Sequence, residues 1–220
     1  MSWFVGWAVG TAAGAGFNHV RDQAKIKEAL DPRWYQPVTA PLPVERWSVA
    51  EGLCMVGMPS GWRDLTTEES LRMSTETRAR VALAACVTTP DPRLGCSATS
   101  FAILDRGPQS AGADSHLMFV ALDEMVQARI DAVPDFSSYG APWRIGLDGE
   151  RAFVHHLIGS VPGDGFGVDH RVAMMSAEAY TIHRTSVYVA MFNSPTETYQ
   201  SYLPALWTML GNWRWLPNPG

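Results

Sequence analysis

From residue 50 onward, apolar residues fall mostly in short runs of strand length, and at three places the pattern changes to the three-and-four spacing of a helix. "GLCMVGMPSGW" reads as a buried strand from Leu53 to Met58, stopped by the turn Pro59-Ser60-Gly61. In "LTTEESLRMSTETRA", Thr66 as N-cap and Glu69 three residues on make a capping box, which predicts a helix over 67–79. "RVALAACVTT" and "CSATSFAILD" are strand-like runs joined by "PDPRLG", so they are expected to be neighbouring strands. In "FVALDEMVQARIDAV", Val120, Met125, Val126, Ile130 and Val133 recur at helical spacing up to Pro134, a second helix.

The last third is richer in strand signals. "WRIGL" and "RAFVHHLIGS" flank Asp148-Gly149, a favoured hairpin turn because glycine tolerates the positive φ it requires. After the loop "GDGFG" come "HRVAMMSAEAYTI" and "TSVYVAMF", the second apolar on both faces as a central strand should be. The third helix starts with Ser194 as N-cap, Pro195 at N1 and Glu197 at N3. Along it Tyr199, Tyr202, Leu203, Leu206, Trp207, Leu210 and Trp213 form one apolar stripe, and Pro204 is expected to kink it.

The first fifty residues follow another pattern. Trp3 to Phe17 carries no charged side chain, and helix formers continue to Asp31-Pro32, where proline ends the run. Gly6, Gly10 and Gly14 fall four apart, which on a helix makes a groove where another backbone can approach closely. Each glycine costs about 1 kcal/mol of helix propensity relative to alanine, so such a helix needs something against it. Trp3, Phe4 and Trp7 would anchor its tip in a protein pocket or at a lipid interface. The first basic residue, Arg21, lies beyond the apolar run, unlike a signal peptide, and roughly 15 residues cover only about 22 Å of a hydrocarbon layer about 30 Å thick. Docking on another subunit, membrane attachment and folding back on the domain all remain open for residues 3–17. The Pro-rich stretch that follows, with Trp34 and Tyr35, reads as an extended linker over a surface. The expected organisation is a docking helix over 1–30, a linker over 31–48 and one domain over 49–220.

At 220 residues, 46% hydrophobic and 18% charged, the chain can bury one sizeable core. A formal net charge of −5 and the lack of any basic run exclude phosphate-backbone binding as its main task, so no nucleic acid partner is expected. Cys54, Cys86 and Cys96 are odd in number and lack metal spacing, which points to reduced, buried thiols in the cytoplasm. His155 and His156 are strand neighbours and face opposite ways, so they cannot hold one ion. "GDGFG" lacks the strand-before, helix-after order of a phosphate loop. Ser60 and Ser110 do not fit G-x-S-x-G, and Asp123 and Glu124 diverge on a helix. No catalytic residue, metal ligand or cofactor is assigned.

The order of elements, the turn at Pro59, Gly61 and Trp62, the strands "RAFVHHLIG" and "SVYVAMF", and the aromatic last helix up to Trp213 resemble the Mog1/PsbP-like (LpqN/DcrB-like) family of α/β/α sandwiches, over roughly residues 50 to 216. This resemblance implies an α+β fold, an antiparallel sheet covered by helices on both faces, here preceded by the apolar helix and the Pro-rich linker. It also implies an actinobacterial flavour and members that mostly bind other proteins.

The function expected is that of a non-catalytic accessory subunit or adaptor, docking on another protein or a larger assembly through Trp3, Phe4, Gly6, Trp7, Gly10, Gly14, Phe17, Trp34 and Tyr35. Its place would be the cytoplasm, with membrane contact open to residues 3–17. Two alternatives stand beside it. One is a membrane-attached accessory protein facing the cytoplasm; the other is a small hydrolase or ligand-binding enzyme using His155 or His183 near the 163–167 loop.

Overall fold

The computed structural model describes residues 36–50, 52–65, 80–87, 99–108, 127, 131, 135–163 and 168–217. Its strands are β1 (Gln36–Pro37), β2 (Arg46–Ala50), β3 (Cys54–Met58), β4 (Trp62–Asp64), β5 (Arg80–Val87), β6 (Thr99–Pro108), β7 (Phe136–Ser138), β8 (Trp143–Leu147), β9 (Glu150–Val161), β10 (Val172–His183), β11 (Ser186–Pro195) and β12 (Trp213–Trp215). One long helix, here α1 (Thr196–Gly211), lies between β11 and β12.

Nine strands form one sheet in the order β1-β8-β9-β10-β11-β6-β5-β4, with β7 also paired to β9. The pairing is antiparallel except for β1, which runs parallel to β8, so the sheet is mixed where a purely antiparallel one was expected. The expected neighbours β5 and β6 pair antiparallel. The expected hairpin at Asp148-Gly149 is also present: their φ values of 47° and 87° supply the two positive angles of a tight turn, and Leu147 faces Glu150 across it. Arg184, with φ 59°, turns β10 into β11.

Both faces of the central strands are buried. On one face Val81, Leu104, Phe153, Leu157, Met174, Tyr180, Val189 and Met191 share a core. On the other, Phe101, Ile103, Val154, Ala177 and Phe192 pack with Leu206, Met209 and Leu210 of α1 and with Cys54, Val56 and Met58 of β3. That second face is covered by α1 and by a three-stranded sheet in the order β12-β3-β2. The cover is thus partly sheet, where helices alone were expected. The helices expected over 67–79 and 119–133 lie outside the described residues, apart from Gln127 and Asp131, which are helical and joined by a 2.9 Å hydrogen bond.

Two expectations at the chain's end need correction. Ser194 is not the N-cap: strand pairing continues through Met174–Pro195, so the chain begins to coil only at Thr196, and Pro195 occupies the cap position without a side-chain cap bond. The Ser194 hydroxyl instead bonds Thr99 Oγ1 at 2.8 Å and Thr198 Oγ1 at 3.0 Å. Trp213, expected on the helix stripe, belongs to β12. The helix stops at Gly211, where the Asn212 amide and its Nδ2 both donate to Thr208 O, and Trp213 then pairs with Val56.

The described part of the Pro-rich stretch lies against the domain. β1 pairs with Ile145 and Gly146, the Leu42 amide donates to Thr208 Oγ1 at 3.0 Å, and the expected boundary at residue 48 falls inside β2. Val44 and Asn212 close over Gly57, where a Cβ would meet Val44 Cγ2 at 2.6 Å and Asn212 Cβ at 2.7 Å. Only glycine permits that approach.

Trp213 is fully buried beside Trp215, their ring centroids 5.1 Å apart. Trp213→Ala is expected to cost about 3–5 kcal/mol of stability in urea denaturation, the usual range for a large-to-alanine core change. A loss below about 1 kcal/mol would show that β12 does not anchor the small sheet.

Candidate functional site

The residues predicted to bind a partner, Trp3, Phe4, Gly6, Trp7, Gly10, Gly14, Phe17, Trp34 and Tyr35, all lie outside the described residues. The described surface adds a site that the sequence did not single out. In β2 the side chains alternate: Ser48 and Ala50 are buried, while Trp47 is 48% and Val49 56% exposed. The Ser48 hydroxyl donates to Asp64 Oδ1 at 2.9 Å, and Arg46 lies 3.4 Å from the same oxygen, which fixes the strand's inner side against β4. Among the described residues β2 pairs with β3 alone, so it forms the rim of the small sheet. Exposed rims are usually protected by charge or proline, and here the outward positions carry a tryptophan and a valine. Alternation alone could not reveal this, because Ala50 and Val49 make both faces of β2 apolar.

A second aromatic group surrounds His156. Its Nδ1 shares a 2.8 Å hydrogen bond with the Tyr199 hydroxyl, and Trp143 lies over its ring with centroids 4.8 Å apart. Trp143 in turn stacks on Trp207 of α1 at 5.2 Å, and both Trp143 and nearby Tyr139 are about half exposed. Burial, and then repulsion from His155, hold His156 below its ordinary value near 6.5. Burial likewise raises Tyr199 well above the usual phenol range, so the pair stays neutral.

The histidines are separated as strand geometry requires. His155 is on the opposite face from His156, edge-on to Tyr180 at 6.0 Å and directly across from Glu178, whose carboxylate accepts from the Tyr180 hydroxyl. His183 donates to Glu150 Oε1 at 3.1 Å, and its ring stacks on Trp215 at 4.1 Å. β9 ends at Val161 and β10 begins at Val172. His183 lies at the other end of β10, about 36 Å along the strand, and His155 about 20 Å along β9. Residues 164–167, with which the enzyme alternative groups these histidines, lie outside the described residues. Among the described residues no group of three His, Cys, Asp or Glu side chains is placed to hold a metal ion. Cys54 and Cys86 are buried free thiols, and burial pushes Cys54 up to about 12.

No family model and no curated protein matches the sequence. Solved structures do match the fold. LpqN, involved in cell envelope biogenesis of Mycobacterium tuberculosis, aligns with a TM-score of 0.52 at 14% identity, over 80% of this chain and 99% of LpqN. Cyanobacterial PsbP from Synechocystis sp. PCC 6803 aligns at 0.47 and 9% identity, over 80% of this chain and 96% of its own. The protein PA94 of Pseudomonas aeruginosa, a putative regulator, aligns at 0.45 and 14% identity, over 80% and 100%.

The buried His156–Tyr199 pair sets a pH dependence. A histidine whose folded value is lowered binds its proton less readily than in the unfolded chain, so acid favours unfolding. The stability it contributes is complete above about pH 7 and falls as pH drops through the ordinary value near 6.5 towards the lower folded value. Melting temperatures from about pH 7.5 to 5 are expected to fall less steeply in His156→Gln than in the parent chain. An unchanged slope would show that His156 is not the responsible group.

Proposed function

On this Mog1/PsbP-like fold, we propose that the protein is a non-catalytic accessory subunit or adaptor that docks on another protein or a larger assembly. The observation that supports it is the rim of the small sheet, where Trp47 and Val49 face outward from β2. A large aromatic beside an aliphatic side chain on an unpaired strand edge is the type of surface that gains most from a partner strand or groove. The Pro-rich stretch leads directly into β2, so Trp34, Tyr35 and the N-terminal segment from Trp3 to Phe17 are in sequence with that surface and are proposed as further contacts.

LpqN's involvement in cell envelope biogenesis is compatible with an accessory role of this kind. Among the described residues no helix is long and apolar enough to cross a membrane. The proposed place is the cytoplasm, with residues 3–17 as the segment that would meet a membrane.

The full-length chain is to be isolated from its source cells with whatever assembly accompanies it, beside a double variant Trp47→Ala/Val49→Lys and a chain lacking residues 1–30. Loss of a tryptophan anchor of roughly 2 kcal/mol predicts about a thirtyfold weaker hold in the double variant. Both changed chains are expected to lose the assembly while the double variant keeps its melting temperature within a few degrees. Unchanged retention in both would refute docking through this end of the molecule.

A further inference from the structure

Within the aromatic group around His156, Trp143 stacks on Trp207 at 5.2 Å and yet stays 48% exposed. Leu203 and Trp207, on the same side of α1, are only partly buried against the second core. A tryptophan pair left open to water gains from a further ring laid against it. The edge of the large sheet shows where such a ring comes from. β1 runs parallel to β8, with Gln36 beside Ile145 and Pro37 beside Gly146. The residues that lead into Gln36 are Trp34 and Tyr35. Carried back two positions, the same register sets Tyr35 beside Arg144 and Trp34 beside Trp143. Side chains of paired strands alternate together, so Trp34 in that register shares the face of Trp143, which is also that of Ile145 and Leu147.

The reach of the chain gives the same answer independently. Val38 packs against the second core, and its carbonyl oxygen would lie 3.1 Å from a Cβ added at Gly211, the last residue of α1. Trp143 meets the helix at Trp207, whereas Leu147 O accepts from Trp215 Nε1 beyond the helix end, so β8, β1 and α1 run the same way. Four strand residues back from Val38 to Trp34 cover about 13 Å. Eight helix residues back from Gly211 to Leu203 cover about 12 Å. Trp34 therefore arrives level with the turn of α1 between Leu203 and Trp207. We propose that Trp34 seats on the half-open Trp143–Trp207 pair, prolonging β1 towards its start and closing the aromatic group over His156. The occupant is this chain's own segment because Gln36 already tethers it two residues from Trp143, which gives it a high effective concentration over any free partner of similar chemistry. The contact belongs to the chain on its own and is independent of docking on a partner.

In the isotopically labelled full-length chain, proton cross-relaxation from the Trp143 indole is read, its signals identified with Trp143→Phe. Cross-peaks to the Trp34 indole are expected. Cross-peaks instead to Trp3, Phe4 or Trp7, or to a second copy in a mixed-label sample, would overturn the proposal, as would no aromatic neighbour beyond His156 and Trp207. As a second reading, Trp34→Ala and Trp143→Ala are each expected to raise the unfolding constant in urea. Because both remove one shared contact, the double variant is expected to fall roughly two- to tenfold short of the product of the single effects. Effects that simply multiply would overturn the contact. Should Trp143→Ala fail to fold, Trp34→Ala alone is expected to move the Trp143 and Trp207 indole signals, and unmoved signals would overturn it.

Discussion

A strand that is apolar on both sides must be covered twice, and β10 and β11 impose that requirement on the whole molecule. Ala177, Ala179, Ala190 and Phe192 point one way, and Met174, Tyr180, Val189 and Met191 the other. α1 supplies part of the first cover, and β3, brought alongside by β12 and β2, supplies the rest. The C-terminal strand also holds the sheet ends together. The Trp215 amide donates to Asp148 Oδ2 at 2.7 Å in one hairpin, and its ring stacks on His183 beside the next. Covering the large sheet with a small one creates a new rim, and that rim is where Trp47 and Val49 emerge. The exposed surface is thus a by-product of how the core is closed.

The polar residues on the two faces are handled differently. On the helix side, Thr99, Ser194 and Thr198 form a continuous chain of hydroxyl bonds at the point where β11 gives way to α1, tying strand pairing to the helix start. On the other side, His155, Glu178 and Tyr180 sit next to the row Ser100, Asn193 and Ser176, whose side-chain groups are unpaired. His156 bonds the Tyr199 hydroxyl and His183 bonds Glu150 Oε1. The first bond ties β9 to α1 and the second ties β10 to β9.

Much of the sheet was legible because its signals are local. Asp148-Gly149 demands positive φ, and "SVYVAMF" leaves no polar face, so a hairpin and a central strand follow from a few residues each. The helix start was misplaced by one residue because capping rules see Ser194 and Pro195 but not the strand partner that keeps both extended. β12 was missed because Trp213 continues the helical period of Leu206 and Leu210 by chance, while its pairing with Val56 is more than 150 residues away in sequence. The same non-locality hid the surface. Whether Trp47 faces a core or solvent depends on where β3 lies, which no spacing within "RWSVA" reveals. The binding residues proposed at the N-terminus rest on sequence alone.

Amide hydrogen exchange of the full-length chain, alone and within the assembly that accompanies it, tests the docking role most directly. If the rim of the small sheet is the contact, the amides of Arg46–Ala50 slow markedly in the assembly while those of β10 and β11 keep their rates. Equal exchange of β2 in the two states would contradict it.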